Sequence, residues 1–205
     1  MRGILPHIHP GMNQAYRPER IERAREILVE ALKDSLGVHW VLRNKSEAGK
    51  VLALEVLFFE GADKEGVFLS DDGQGAVVFY DINDQRWSWS NARRKALLVL
   101  RHAGVASVWR LLKYRRMIAA TRPKYAMVGF LVGTDRFAKG TKAIFDIHEG
   151  MQKLAKSRNL PICLETTQPR VRRLYQYAGY IEYAVRRHPF VDLDIYFFIK
   201  HPDDV

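Results

Sequence analysis

Residues 125–144 read YAMVGFLVGTDRFAKGTKAI, and this stretch decides the fold. Tyr125 to Val132 reads as a strand, and a loop carrying Gly133 and Gly140 then runs into a helix over Gly140 to Ser157. Ile144, Ile147, Met151 and Leu154 share one face of that helix. A strand that feeds a helix in this way leaves unpaired backbone N–H groups at the positive end of the helix dipole, a seat for phosphate or pyrophosphate. Arg136, Lys139 and Lys142 add charge there. Two glycines and three cations also occur in such turns without any ligand, so the turn alone leaves both readings open.

Working outward, Pro161 to Thr166 reads as a strand, Gln168 to Ala178 as a helix closed by Gly179, and Tyr180 to Arg187 with Val191 to Lys200 as a final hairpin. Strand, helix, strand, helix and antiparallel strands imply a mixed α/β sheet with helices on both faces. Upstream, Pro18 to Ser35 has the rhythm of an amphipathic helix, with Ile21, Ala24, Ile27, Leu28, Ala31 and Leu32 on one side. Glu47 to Ala62 (EAGKVLALEVLFFEGA) includes a strand-like VLALEVLFF, yet sixteen residues without a turn signal exceed the usual strand, so a helix is expected. Gly66 to Ser70 and Gly75 to Asp81 form a hairpin around Asp71-Asp72-Gly73. Two basic helices follow, Asn91 to His102 and Val105 to Ala120, divided by Gly104; the second is expected to bury Val108, Trp109, Leu111 and Leu112 and to send its cations outward.

The segment 162–183, ICLETTQPRVRRLYQYAGYIEY, places Pro169 at a helix start, Val171, Leu174, Tyr175 and Ala178 on one face, and Gly179 at the stop. Tyr175 is therefore expected to project inward, which by itself describes a core residue with a satisfied hydroxyl. Together with the glycine loop, however, this segment resembles the GNAT superfamily of N-acetyltransferases. That family has an acyl-CoA loop of pattern R/Q-x-x-G-x-G/A after its fourth strand, then ETSN, a short helix with LY, and GF. Here the later segment reads Glu165-Thr166-Thr167-Gln168, then Leu174-Tyr175, then Gly179-Tyr180.

The resemblance implies a mixed, mostly antiparallel central sheet with helices on both faces and, by the family's strand count, an added helical segment between the third and fourth strands. It implies one domain over residues 1–205, with 17–124 as an elaborated N-terminal half and 125–200 as the cofactor-binding half. The strands 125–132 and 161–166 would splay to admit the pantetheine arm of acetyl-CoA, the cosubstrate. Backbone amides of Phe137, Ala138, Lys139, Gly140, Thr141 and Lys142 would hold the pyrophosphate, with Arg136 and Gln168 assisting. Tyr175 matches the tyrosine that protonates the leaving thiolate. Departures are plain: Phe137 stands at the R/Q position and Lys142 at the last small one, Gln168 replaces Asn, and Val171 and Arg173 stand where small residues are usual.

Acyl transfer to an amine also needs an oxyanion donor, for which an amide near Leu131 or Val132 is the candidate, and a base, for which Glu165 is the candidate beside a water chain. Cys163 reads as a core thiol. Trp87 and Trp89 wall an acceptor pocket or, as the favoured reading, pack a loop onto the core. His7 and His9 lack a third ligand at helical spacing, so no metal is expected.

With 205 residues, 47% of them apolar, the chain is long and apolar enough for a real core, which excludes a disordered chain. No apolar run approaches the roughly 18 residues of a membrane-spanning helix, and the start MRGILPHIHPG does not read as a secretory signal. A single cysteine makes the reducing cytosol the expected compartment. Ten cations and no carboxylate lie between Ala92 and Lys124, a concentration equal to the whole net charge of +10. That segment reads as a solvated helical face or as a surface for nucleic acid, anionic lipid or an acidic substrate. The expected activity is transfer of an acetyl group from acetyl-CoA to a primary amine of a small molecule or protein, with nucleic acid an unexpected partner and a homodimer left open. The competing reading is a GNAT-like fold that binds acyl-CoA or a polyanion without turnover.

Overall fold

The computed structural model describes residues 17–35, 40–42, 46–138 and 142–204. His7, His9, Lys139, Gly140 and Thr141 lie outside the described residues. Pro18–Leu32 forms α1, with proline in its first turn and Ala24, Ile27 and Leu28 buried. Glu47–Ala62 forms α2, as its length demands; Ser46 caps it by accepting from Gly49 N–H at 3.2 Å. Val67–Leu69 (β1) and Gly75–Asp81 (β2) make the hairpin, and Ser70 Oγ accepts from Gly75 N–H at 2.8 Å inside its turn.

Trp89–Leu98 forms α3, which runs into a π turn over Val99–Ala103. Gly104, at φ 77°, takes the left-handed step that a side chain would resist and starts α4, Val105–Thr121. Then come β3 (Met127–Thr134), α5 (Lys142–Arg158), β4 (Ile162–Thr166), α6 (Pro169–Tyr177), β5 (Ile181–Arg187) and β6 (Asp194–Lys200). The six strands lie in the order β1-β2-β3-β4-β6-β5, and β3 with β4 is the parallel pair among antiparallel neighbours. The added helices α3 and α4 fall between β2 and β3 of the described strands.

Alternation along β2 divides the core. Ala76, Val78 and Tyr80 pack with Ala24, Ile27 and Leu28 of α1 and Phe58 of α2, whereas Val77 and Phe79 pack with Ile147 and Met151 of α5. Ile118 of α4 covers Ile195 and Phe197 of β6. That contact corrects the face expected of α4. Ser107 and Ile118 are its buried residues, and Val108, Trp109, Leu111 and Leu112 are all exposed. The helix carries apolar residues all round, and the sheet takes the side holding Tyr114 and Ile118, because these meet the ridge of β6. A similar correction applies to α6, where Leu174 is exposed and Tyr175 alone of the LY pair is drawn into the core cluster.

Candidate active site

Strands β3 and β4 run side by side for three residues only: Met127, Val128 and Gly129 face Ile162, Cys163 and Leu164. Beyond them β3 pairs with β2 as far as Thr134, while Glu165 and Thr166 pair with Phe197 and Tyr196 of β6. The parallel strands therefore part, and the register locates the cause. Val78 faces Leu131 but Phe79 faces Gly129, so Phe130 is an extra residue in β3. Such a bulge bends and twists its strand, here where pairing to β4 stops. Phe130 and Leu131 consequently both pack toward α1 and α2.

Past the bulge, Asp135 N–H donates to Gln74 O at 2.7 Å. Counting back by twos, Gly133 and Leu131 also direct their amides to β2, whereas Val132 and Thr134 direct theirs to the edge that β4 has left. Of the two amides considered for an oxyanion, Val132 N–H faces the opening and Leu131 N–H faces β2.

The loop after β3 is tied by Asp135. Its carboxylate accepts from Phe137 N–H at 2.9 Å and from Arg23 Nη2 at 2.6 Å, and its carbonyl accepts from Ala138 N–H at 2.9 Å. The amides of Phe137 and Ala138 are thus turned back into the loop. The sequence held the signal, since Asp commonly accepts from the amide two residues on. Arg136 is exposed, lies over the Phe137 ring at 4.6 Å and is 3.7 Å from Glu30. Lys142 opens α5 from an exposed position, and Gln168 is the exposed residue before α6, donating its N–H to Thr166 Oγ1 at 3.1 Å.

Tyr175 lies on the α5 side of the sheet, with its ring 5.8 Å from Tyr180 and edge-on to Phe198 at 5.4 Å. Burial, and then the charge of Glu165, push its hydroxyl up to about 12, so it holds its proton at neutral pH. Glu165 has the opposite orientation, sharing the side of Cys163, which packs with Ala126 and Val128. Both its oxygens accept from Arg122, one from Nε and the other from Nη2 at 2.8 Å. Burial acts to discharge Arg122, but the Glu165 carboxylate outweighs it and raises the guanidinium pKa. Phenols surround the pair: Tyr80 and Tyr114 are each pushed up to about 12, first by burial.

Sequence reading did not find Arg122, whose partner is 43 residues away. Nor did it find the aromatic cluster that continues from Tyr114. The Trp40 ring lies 5.2 Å from Tyr114, 4.7 Å from His188 and 5.7 Å from Phe190, on which it stacks. Trp87 and Trp89 meet each other at 4.9 Å and stay mostly exposed, so they do not pack a loop onto the core. Cys163 is buried, and burial pushes its thiol up to about 12. Among the described residues no group of three or more His, Cys, Asp and Glu side chains could hold a metal ion, and no helix is long and apolar enough to cross a membrane.

The site thus comprises a strand pair parted by a bulge, one amide facing the gap and a protonated tyrosine on the α5 side of the sheet. The fold is that of the GNAT N-acetyltransferases. No family model and no curated protein sequence matches the chain. Solved structures do: the C-terminal condensation domain of Ebony, in complex with beta-alanyl-dopamine, has a TM-score of 0.63 at 13% identity, over 90% of this chain and 95% of that one. A Corynebacterium glutamicum protein described as histone acetyltransferase HPA2 and related acetyltransferase has a TM-score of 0.60 at 18% identity, over 91% and 93%. The Drosophila melanogaster polyamine N-acetyltransferase has 0.52 at 16%, over 89% and 95%.

Proposed function

We propose that this protein is an acyl-CoA-dependent N-acetyltransferase of the cytosol that moves an acetyl group from acetyl-CoA to a primary amine of a small molecule. The observation that carries the reading is the parting of β3 from β4 at Phe130 with Val132 N–H on the open edge. Acetyl-CoA supplies the activated acyl group. Val132 N–H donates to the thioester oxygen as negative charge grows on it. As the amine nitrogen bonds to the acyl carbon and the carbon–sulfur bond breaks, the Tyr175 hydroxyl gives its proton to the departing sulfur. Glu165, held at both oxygens by Arg122, is a positioning group on the acceptor side, and water takes the amine proton and returns one to the Tyr175 phenolate. Arg136 and Lys142, with the amides of Lys139, Gly140 and Thr141, are assigned to the pyrophosphate, and Gln168 to the pantetheine. The neighbour named as a polyamine N-acetyltransferase adds support.

A second reading, acyl-CoA binding without turnover, is favoured by one fact: both oxygens of Glu165, the candidate base, are already held by Arg122. Incubation with acetyl-CoA and an amine library, read by mass spectrometry, separates the two. Acetylated amine with an equal yield of free CoA is the expected result. Binding of CoA with no product from any amine would favour the second reading.

A further inference from the structure

Of the ten cations between Ala92 and Lys124, Lys95 and Arg115 are held by Glu60, and Arg122 by Glu165. Arg93, Arg101, Lys113 and Arg116 meet no carboxylate among the described residues. The corner where α3 turns into α4 combines such cations with bare apolar side chains. Leu100 is 78% exposed, Val105 76%, Trp109 62% and Leu112 51%. Spacing of four, three and four residues puts Val105, Trp109, Leu112 and Arg116 on one outward stripe, opposite the Tyr114 and Ile118 side that meets the sheet. Leu100 and Arg101, both exposed, stand in the π turn just before Gly104, next in sequence to the start of that stripe.

We infer that this corner docks on an anionic lipid surface. Solvated charge alone explains the cations but leaves a tryptophan, two leucines and a valine in water. Duplex DNA would engage the cations through phosphates and give Leu100 and Val105 nothing to contact. A second copy would bury the apolar tips but set Arg101 and Arg116 against their own kind. A bilayer interface takes both sets. Apolar tips and an indole enter the headgroup–acyl boundary while Arg and Lys meet anionic headgroups. The docking is a property of α3 and α4 and does not depend on acetyl transfer.

The experiment is co-sedimentation of the full chain with vesicles of phosphatidylcholine alone and with about 30% phosphatidylserine, at about 0.15 M salt. Binding to the anionic vesicles should be roughly tenfold or more stronger than to the neutral ones. Arg101→Gln with Arg116→Gln should weaken it about thirtyfold, at about fivefold per cation. Leu100→Glu with Val105→Glu should weaken it roughly tenfold or more, with circular dichroism and thermal midpoint unchanged. Equal vesicle binding by the wild type and the Gln pair would overturn the inference. So would tight binding of a short DNA duplex without vesicle binding, or a dimer in solution that the Glu pair splits and that ignores vesicles.

Discussion

Arg122, one residue past α4, holds both carboxylate oxygens of Glu165 in β4, and the two side chains are 12% and 15% exposed. The pair fastens the end of the added helical segment to the strand from which β3 parts. A near-buried pair is most damaging when half of it is removed, because the remaining charge is stranded. Arg122→Ala should therefore destabilise the fold by about 3 kcal/mol or more in a urea melt. Arg122→Met combined with Glu165→Met should recover most of that loss. Because both oxygens are engaged, Glu165→Gln should lower kcat by no more than about tenfold. A loss of roughly 10³-fold or more with unchanged CoA affinity would make Glu165 the base.

Tyr175 separates packing from catalysis. Tyr175→Phe keeps the ring contacts with Tyr180 and Phe198 and removes only the hydroxyl. Turnover should fall roughly 10- to 10⁴-fold, with CoA affinity by calorimetry nearly unchanged. A donor works while protonated, and this hydroxyl sits up at about 12. Its titration should therefore produce no loss of kcat as pH rises from neutral to about 10. Equal turnover by the wild type and the Phe variant would return Tyr175 to the core.

Much of the fold was legible because its signals are local. The run Glu47–Ala62 was too long for a strand and is α2 over that range, and Gly104 divides the basic helices at a positive φ. What stayed hidden depends on distant partners. The bulge at Phe130 comes from register against Val78 and Phe79 and leaves no mark in composition. Periodicity located α4 but not its buried face, because Trp109 and Ile118 are both apolar and only the position of β6 decides between them. The Arg122–Glu165 pair joins two charges whose residue types were visible and whose proximity is set by topology.

Gly61 shows how closely α2 lies on the sheet. A Cβ placed there would run into Val78 Cγ1, inside the fully buried stretch of β2. Gly61→Ala therefore sets a helix-propensity gain of roughly 1 kcal/mol against overpacking of roughly 1 to 3 kcal/mol. The net change should be a loss of about 1 kcal/mol, read as a lowered urea midpoint with an unchanged slope. Pairing it with Val78→Ala, which clears the clash, should reverse the sign of the Gly61 effect in a double-mutant cycle. Plain additivity would mean that α2 simply shifts outward.

His188 gives the fold a definite pH dependence. It is buried after β5, and its Nδ1 accepts from Phe190 N–H and Val191 N–H, both at 3.2 Å. Accepting there requires a neutral ring with its proton on Nε2, and burial lowers its pKa below the ordinary 6.5. As pH falls, the unfolded ring takes up a proton before the folded one does. The associated stability is therefore complete above about pH 6.5 and is lost as pH falls through that value toward the lowered folded one. His148 on α5, lowered first by burial and then by Lys200, contributes with the same sign. Asn presents an amide oxygen close to where Nδ1 stood and does not titrate. His188→Asn should thus keep the turn, and its thermal midpoint should drop less than that of the wild type between about pH 7 and about pH 5. Equal drops in the two proteins would assign the acid sensitivity to other groups.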